Sequence, residues 1–196
     1  EYIPPENERL AWATGFTGSA GLAIITQDKA AIFVDGRYTV QVREQVDSRL
    51  YTILHISKDP YLKWLKTSVN SNALVGYDSR LQRANWKINT EKILADNITL
   101  IPIDKNPIDL FWDDRPSGNM DMAILLDEKY TGKSSEEKRN ELGNAIAQNK
   151  CDAAFISQLD SIAWLLNIRG QDVPCNPVLL CHGLLHSDGS FDLFIK

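Results

Sequence analysis

The sequence predicts an α/β protein made of two tandem units, each a mixed sheet flanked by helices, with the second unit partial. Three observations predict it. Short apolar runs alternate with stretches of helical period along the 196 residues. A polar, turn-rich stretch, Asp113-Asp114-Arg115-Pro116-Ser117-Gly118-Asn119, interrupts that alternation and reads as a linker. Finally, Leu10-Ala11-Trp12 followed by Gly18 returns as Ile162-Ala163-Trp164 followed by Gly170, at an offset of 152 residues throughout, as 164 stands to 12. A repeat this long means duplicated domains and not a solenoid, whose period is about 20–50 residues. The expected units are residues 1–116 and 117–196.

Within the first unit, Leu22–Thr26 and Ala30–Asp35 are apolar runs split by Gln27-Asp28-Lys29, which predicts a two-stranded hairpin. Arg37–Val46 then reads as a helix and Tyr51–Ile56 as a strand. Asp59 is placed to cap a helix whose first residue is Pro60, with Leu62, Leu65 and Val69 on one face. Ala73–Tyr77 is a strand, and Gln82–Leu94 a helix with Trp86, Ile93 and Leu94 at helical spacing. Ile98–Ile103 alternates as a strand before Pro107 opens a short helix ending near Trp112.

The second unit begins with a strand at Met122–Leu126. Ser134 with Glu137 forms a capping box for a helix from Ser135, with Leu142, Ala145 and Ile146 facing inward. Ala153–Ser157 is a strand and Ser161–Asn167 a helix. Val178–His182 and Phe191–Ile195 are strands joined across Ser187-Asp188-Gly189. A strand precedes the second Ala-Trp helix but not the first, and the second unit stops after its hairpin. Open sheet edges, and with them self-association or strand exchange, are expected there.

Composition narrows the function. Hydrophobic residues make up 43% and charged residues 24%, the balance of a globular chain. A net charge of −5 argues against nucleic acid or anionic membrane as a partner, since either needs a basic face. Apolar runs such as Leu22–Thr26 fall far short of the roughly 20 residues a membrane helix requires. Cys151, Cys175 and Cys181 form no CxxC pair and cannot all pair with one another, which suits buried thiols in a reducing compartment. With no basic-then-apolar leader after Glu1, a cytoplasmic location is expected. Asn97-Ile98-Thr99 matches a glycosylation sequon but falls on an expected strand.

Several groupings of chemically able residues have plainer readings. Gly132-Lys133-Ser134 lies between a strand and a helix, yet a phosphate loop needs glycine where Asp127 stands, so it is read as helix capping. Gly15, Gly18 and Gly21 precede a strand and miss the dinucleotide spacing, so they are read as a tight turn. Cys175, Cys181, His182 and His186 suggest zinc, but on a strand the two histidines lie about 13 Å apart, too far for two bonds of about 2 Å. His55 sits alone on its strand. No nucleophile–base grouping or HExxH is present, so the segment has no self-contained catalytic centre. Asp35-Gly36-Arg37-Tyr38 is more informative: Gly36 supplies a sharp turn and Arg37 projects where binding residues often lie. Its fork of donors suits a carboxylate or peptide carbonyl, and it suits equally an ion pair with Asp35 or a helix neighbour.

Taken in series, Glu1-Tyr2-Ile3-Pro4-Pro5, Gly15-Phe16-Thr17-Gly18-Ser19-Ala20-Gly21, Asp35-Gly36-Arg37-Tyr38 and Trp112-Asp113-Asp114-Arg115-Pro116 resemble the first domain of the three-domain Xaa-Pro aminopeptidases. Leu159 to Gly170, with Asp172 and Asn176-Pro177, resembles the second domain of the same family. The resemblance implies two tandem creatinase N-terminal-like domains ahead of a catalytic domain, and it spans nearly the whole chain. It further implies a metallopeptidase that removes the N-terminal residue from peptides with proline second. Two divalent ions, usually manganese, would act in the third domain, and none of their ligand motifs occurs here. Arg37 is the one substrate contact carried over, with no catalytic and no metal residue in this segment. The implied partners are the peptide, the protein's own catalytic domain and a possible second subunit. This segment alone is then expected to be inactive. The alternative is a non-catalytic peptide- or protein-binding module, the use made of creatinase-like domains in a histone-chaperone subunit.

Overall fold

The computed structural model describes residues 2–94, 97–118 and 122–195. Asn119, the last residue of the expected linker, lies outside them. Two compact units emerge, one from Glu8 to Arg115, the other from Pro116 onward together with Tyr2–Asn7.

The first unit opens with helix α1 (Arg9–Thr14) and the hairpin β1 (Gly21–Ile25) and β2 (Ala30–Val34), antiparallel as the sequence predicts. Strand β3 (Thr52–His55) joins β2 in parallel. The helix expected over 37–46 is broken into a 3-10 turn at Gly36–Tyr38 and α2 (Gln41–Gln45). The Asp35 carboxylate captures the Arg37 N–H and tightens the turn, and β-branched Thr39 and Val40 follow. Helix α3 (Tyr61–Ser68) starts one residue later than expected, with Pro60 flanking it. Asp59 does not cap it; its carboxylate accepts the His55 N–H at 3.0 Å.

Strands β4 (Ala73–Tyr77) and β5 (Ile98–Pro102) form a parallel pair, with α4 (Ala84–Leu94) between them in sequence. Leu94 is fully buried while Ile93 is half exposed, so only part of the predicted stripe faces inward. One core gathers Phe16, Ile32, Val34, Val42 and Val46; the other gathers Leu65, Leu94, Ile98 and Leu100, with Ile24 and Trp86 against it. Helix α5 (Pro107–Phe111), capped by Asn106, ends the unit. Asp109 on α5 accepts Arg9 of α1 through Nε at 2.7 Å and Nη2 at 3.1 Å, and Arg115 lies 3.3 Å away. The guanidinium groups of Arg9 foremost, then of Arg115 and of Arg80, 3.9 Å away, hold the Asp109 carboxyl below the ordinary range.

In the second unit the expected strand over 122–126 shortens to β6 (Ile124–Leu125). Helices α6 (Glu128–Thr131) and α7 (Ser135–Gln148) follow, and the predicted Ser134–Glu137 capping box is formed. The buried residues of α7 are Lys138 and Gly143; of the three expected to face inward, Ile146 is partly buried, whereas Leu142 and Ala145 are exposed. Strand β7 (Ala153–Ile156), helix α8 (Leu159–Leu166) and strand β8 (Ile168–Arg169) come next, β8 pairing with β6. The last hairpin, β9 (Cys181–His186) and β10 (Phe191–Ile195), starts three residues later than expected, because the Asp172 carboxylate accepts the Leu180 N–H at 2.7 Å and keeps Leu180 in the preceding loop. Pairing here is antiparallel throughout, in the order β10-β9-β7. The core holds Ile162, Ile168, Leu179 and Cys181.

The repeat offset is not constant. It is 152 across the Ala-Trp helices but 160 at the hairpin turns, as 186 stands to 26, where Thr26 N–H donates to Lys29 O and His186 N–H to Ser190 O. The extra residues form the loop between Gly170 and Leu180, which carries the Val173–Asn176 bridge.

Candidate functional site

Strands β2 and β3 run in parallel, with Val34 beside His55, and Asp35-Gly36-Arg37-Tyr38 leaves the carboxyl end of β2. Ligands of α/β folds favour such carboxyl ends. Asp35 caps the 3-10 turn by accepting the Arg37 N–H at 2.9 Å, and its carboxylate also receives Arg37 Nε at 3.2 Å and Nη2 at 2.8 Å. These bonds, the side-chain ones foremost, keep the Asp35 carboxyl below its ordinary range, with a minor contribution from His55. Both charges therefore persist at neutral pH. The Arg37 side chain is 56% exposed. Its fork is fixed in direction yet open to solvent.

The ion pair that the sequence left open as the alternative reading of Arg37 is thus formed. The same clamp recurs at Asp47–Arg49 and Asp78–Arg80, each with the arginine N–H and guanidinium on an aspartate two residues earlier. Clamp geometry alone does not define a site. What sets Arg37 apart is its surroundings. Its guanidinium lies 5.2 Å from the Tyr38 ring centre. Tyr38 packs edge-on against Phe16 at 5.5 Å, and its hydroxyl is 2.6 Å from Ser19 Oγ. A side chain at Gly18 would place Cβ 2.2 Å from the Phe16 ring and 2.8 Å from that of Tyr38, so glycine is required for the turn to lie against both. The glycine-rich turn and the Asp-Gly-Arg-Tyr segment, read separately in the sequence, share one surface.

A cluster of amides and a hydroxyl extends that surface. Gln45 Oε1 accepts the Thr17 N–H at 3.0 Å, and Gln45 Nε2 and Gln41 Nε2 donate to Thr17 Oγ1 at 2.9 and 3.1 Å. Sequence reasoning quoted Thr17 and Ser19 only as part of the glycine-rich turn and gave them no polar role, and it missed Gln41 and Gln45, which carry no periodic or motif signal. The arrangement offers directed donors and acceptors for a peptide, and it holds no nucleophile–base pair.

The other candidates separate. Gly132, at φ 69°, ends α6, Ser134 begins α7, and Lys133 pairs with Glu141. His182 stacks on Phe155 at 5.7 Å, His186 bonds Asp192 at 2.8 Å, Cys181 is buried and Cys175 exposed. His55 Nδ1 accepts the Ser57 N–H at 3.2 Å. Among the described residues no group of three or more His, Cys, Asp or Glu is placed to hold a metal ion, so a two-metal centre does not fit this segment.

Two α/β units, each with a hairpin following an Ala-Trp helix, define a duplicated domain. The chain belongs to the creatinase/prolidase N-terminal domain family, whose profiles match residues 2–109 and 114–196. It is 34% identical over 198 residues to human Xaa-Pro aminopeptidase 2, covering 99% of this chain and 29% of the human protein. It is also similar to the crystal structure of X-prolyl aminopeptidase from Caenorhabditis elegans, described as a cytosolic enzyme with a di-nuclear active site. There the TM-score is 0.88 at 31% identity, covering 100% of this chain and 32% of the worm protein. The chain thus spans about three tenths of the length of the relatives it matches. No helix among the described residues is long and apolar enough to cross a membrane.

Proposed function

We propose that this chain is the N-terminal, non-catalytic part of an Xaa-Pro aminopeptidase, an enzyme that removes the first residue from peptides with proline in second position. The observation that carries this is the likeness of the whole chain to the worm X-prolyl aminopeptidase. Residues 1–116 and 117–196 are the two successive N-terminal domains. Bond cleavage belongs to a further domain that holds two divalent ions, manganese being our assignment, and the segment alone is inactive. The enzyme is cytoplasmic.

In this reading Arg37 meets the bound peptide. Its half-exposed fork, fixed by Asp35 and lying over Tyr38, whose hydroxyl meets Ser19, supports the role. In the full-length enzyme, Arg37→Ala should remove a charge-assisted hydrogen bond of about 1.5–3 kcal/mol and lower kcat/KM roughly ten- to hundred-fold. Arg37→Lys should recover only part, because the fork is lost. Arg49→Ala, which breaks the same clamp elsewhere, should leave kinetics unchanged. Steady-state kinetics beside thermal unfolding decides: unaltered kcat/KM in Arg37→Ala, with a lowered Tm, makes the arginine structural.

A further inference from the structure

The glycines that lead up to Arg37 differ in what the fold asks of them. Gly15 stands at φ 79°, and a Cβ at Gly18 or Gly21 would meet a neighbouring side chain at 2.2 or 2.9 Å. Gly36 is under neither constraint. Its φ is not positive, and the one atom outside its chain neighbours that a Cβ would meet within 4 Å is His55 Nε2, at 3.8 Å, an ordinary contact. Gly36 is also exposed. A missing side chain that the fold does not require serves another end, the close approach of a ligand to the backbone.

His55, solitary in the sequence, has company in the fold. It ends β3 beside Val34, which ends β2. Ile53 packs on the core that holds Phe16 and Tyr38, and strand residues two apart share a face, so His55 lies on the face of the Arg37 surface. The ring is half-buried. Its Nδ1 accepts the Ser57 N–H at 3.2 Å, and a nitrogen that accepts carries no proton, so the ring is neutral with its hydrogen on Nε2. Among the described residues that N–H has no hydrogen-bond partner, and what it adjoins is the bare Gly36.

We propose that His55 is a second peptide contact, its Nε2–H donating to a backbone carbonyl of the bound peptide where that peptide crosses Gly36 beside Arg37. This rests on the proposed binding of a peptide at the Arg37 surface. An oxygen at about 2.9 Å from Nε2 would sit over Gly36, where a larger residue would intrude. The acceptor is an uncharged carbonyl because these groups leave no unmatched positive charge. Asp35 matches the Arg37 guanidinium, the His55 ring is neutral, and the Asp59 carboxylate takes the His55 backbone N–H at 3.0 Å. A carboxylate gains most from a charged donor. An Xaa-Pro dipeptide has only its scissile carbonyl and a terminal carboxylate, whereas a pentapeptide has further carbonyls, so the contact favours longer peptides.

Steady-state kinetics of the full-length enzyme on an Xaa-Pro dipeptide and on a pentapeptide beginning Xaa-Pro test it. His55→Asn keeps an acceptor for the Ser57 N–H and removes the Nε2 donor. It should lower kcat/KM on the pentapeptide about three- to tenfold, as for one neutral hydrogen bond, with a smaller loss on the dipeptide. His55→Gln, whose amide reaches the place of Nε2, should recover part. Gly36→Ala should keep or raise the Tm and still lower kcat/KM on the pentapeptide. Equal losses on both substrates in His55→Asn make the histidine structural and overturn the proposal, as does unchanged turnover of the pentapeptide in either His55→Asn or Gly36→Ala. A loss seen with peptide acids and absent from their amides assigns the donor to a carboxylate and overturns it too. Arg37→Ala in the same assays separates this proposal from the role of the arginine. A loss there with His55→Asn silent keeps Arg37 and removes His55; the reverse, with the selective loss on the pentapeptide, keeps His55 and removes Arg37. Silence in both overturns peptide binding at this surface.

Discussion

Helices α1 and α8 carry the same Ala-Trp pair and need the same thing at their carboxyl ends, partners for the last carbonyl groups. The first unit uses neutral groups. Gly15, at φ 79°, turns the chain and donates its N–H to Ala11 O at 2.7 Å, and the Tyr51 hydroxyl donates to Ala13 O at 2.7 Å. The second unit uses a cation. Lys138 Nζ donates to Trp164 O at 2.9 Å and to Asn167 Oδ1 at 2.6 Å, while Asn167 takes the left-handed turn at φ 55°. The tryptophans differ accordingly. Trp12 stacks with Trp112 at 6.0 Å, whereas Trp164 has the Lys138 ammonium 4.5 Å from its ring centre. The helix dipole and the indole face both favour that charge, and desolvation opposes it. Lys138 is only 2% exposed, and burial, aided by Arg169 and Lys133, pulls its pKa down. One backbone problem thus has two solutions with opposite electrical character.

The sharpest way to break this comparison is Lys138→Ala. It leaves two acceptors at the α8 terminus without their donor and should destabilise the second unit by about 2–4 kcal/mol in urea unfolding. A loss under about 1 kcal/mol would mean that the ammonium is not what ends α8. Gly15→Ala should cost less, about 1–2 kcal/mol in the first unit, from the positive φ and a Cβ placed 3.0 Å from Gln45 O. Asn167→Gly should not be the benign reverse of that change. It relieves φ but loses the bond from Lys138 and the one from Asn167 Nδ2 to Lys133 O at 2.9 Å, so a net loss of about 1 kcal/mol is expected.

The smallest effect is one of sign. Burial raises the Tyr51 pKa above its ordinary 10.0, so in alkali the folded first unit holds a proton that the unfolded chain has released. Its contribution to stability is lost as pH rises from about 10 through the raised value. Lys138 does the opposite. Its pKa lies below the ordinary 10.5, so between the lowered value and 10.5 the unfolded chain holds the extra proton and stability rises with pH. Hydrogen exchange of α1 and of α8 across pH 8–11, referenced to intrinsic rates, should therefore diverge. Parallel trends would refute the contrast between the two caps.

What the sequence disclosed was local. The β1–β2 hairpin, the Ser134–Glu137 capping box and the turn after β2 are each written within about ten residues, and each formed as expected. Helix α7 shows why other features were hidden. Counting apolar residues chose Leu142, Ala145 and Ile146 as its inward face, and of these only Ile146 is even partly buried. In the fold, Gly143 packs so closely on the β9–β10 turn that an added Cβ would lie 2.9 Å from Gly189 N and 3.0 Å from Ser187 O. That contact sets the rotation of the helix and carries Lys138 inward, and no pattern within α7 encodes a contact made more than forty residues away. The surface around Arg37 was legible as two motifs. Their meeting through Tyr38, Ser19 and Gly18 was not, because it depends on a hairpin and a turn closing together.

The pairing of Arg9 with Asp109 bears on how the first unit is made. It joins residues separated by 100 positions, α1 at one end and α5 at the other. On the ribosome, Arg9 is translated long before its carboxylate exists. At roughly 5–20 residues per second that wait is on the order of 5–20 s, far longer than the microseconds a helix needs to form. During that interval the Asp35–Arg37, Asp47–Arg49 and Asp78–Arg80 clamps, each closed over two residues, can form as they emerge. Helix α1, though made long before α5, is among the last parts of its unit to be locked in place.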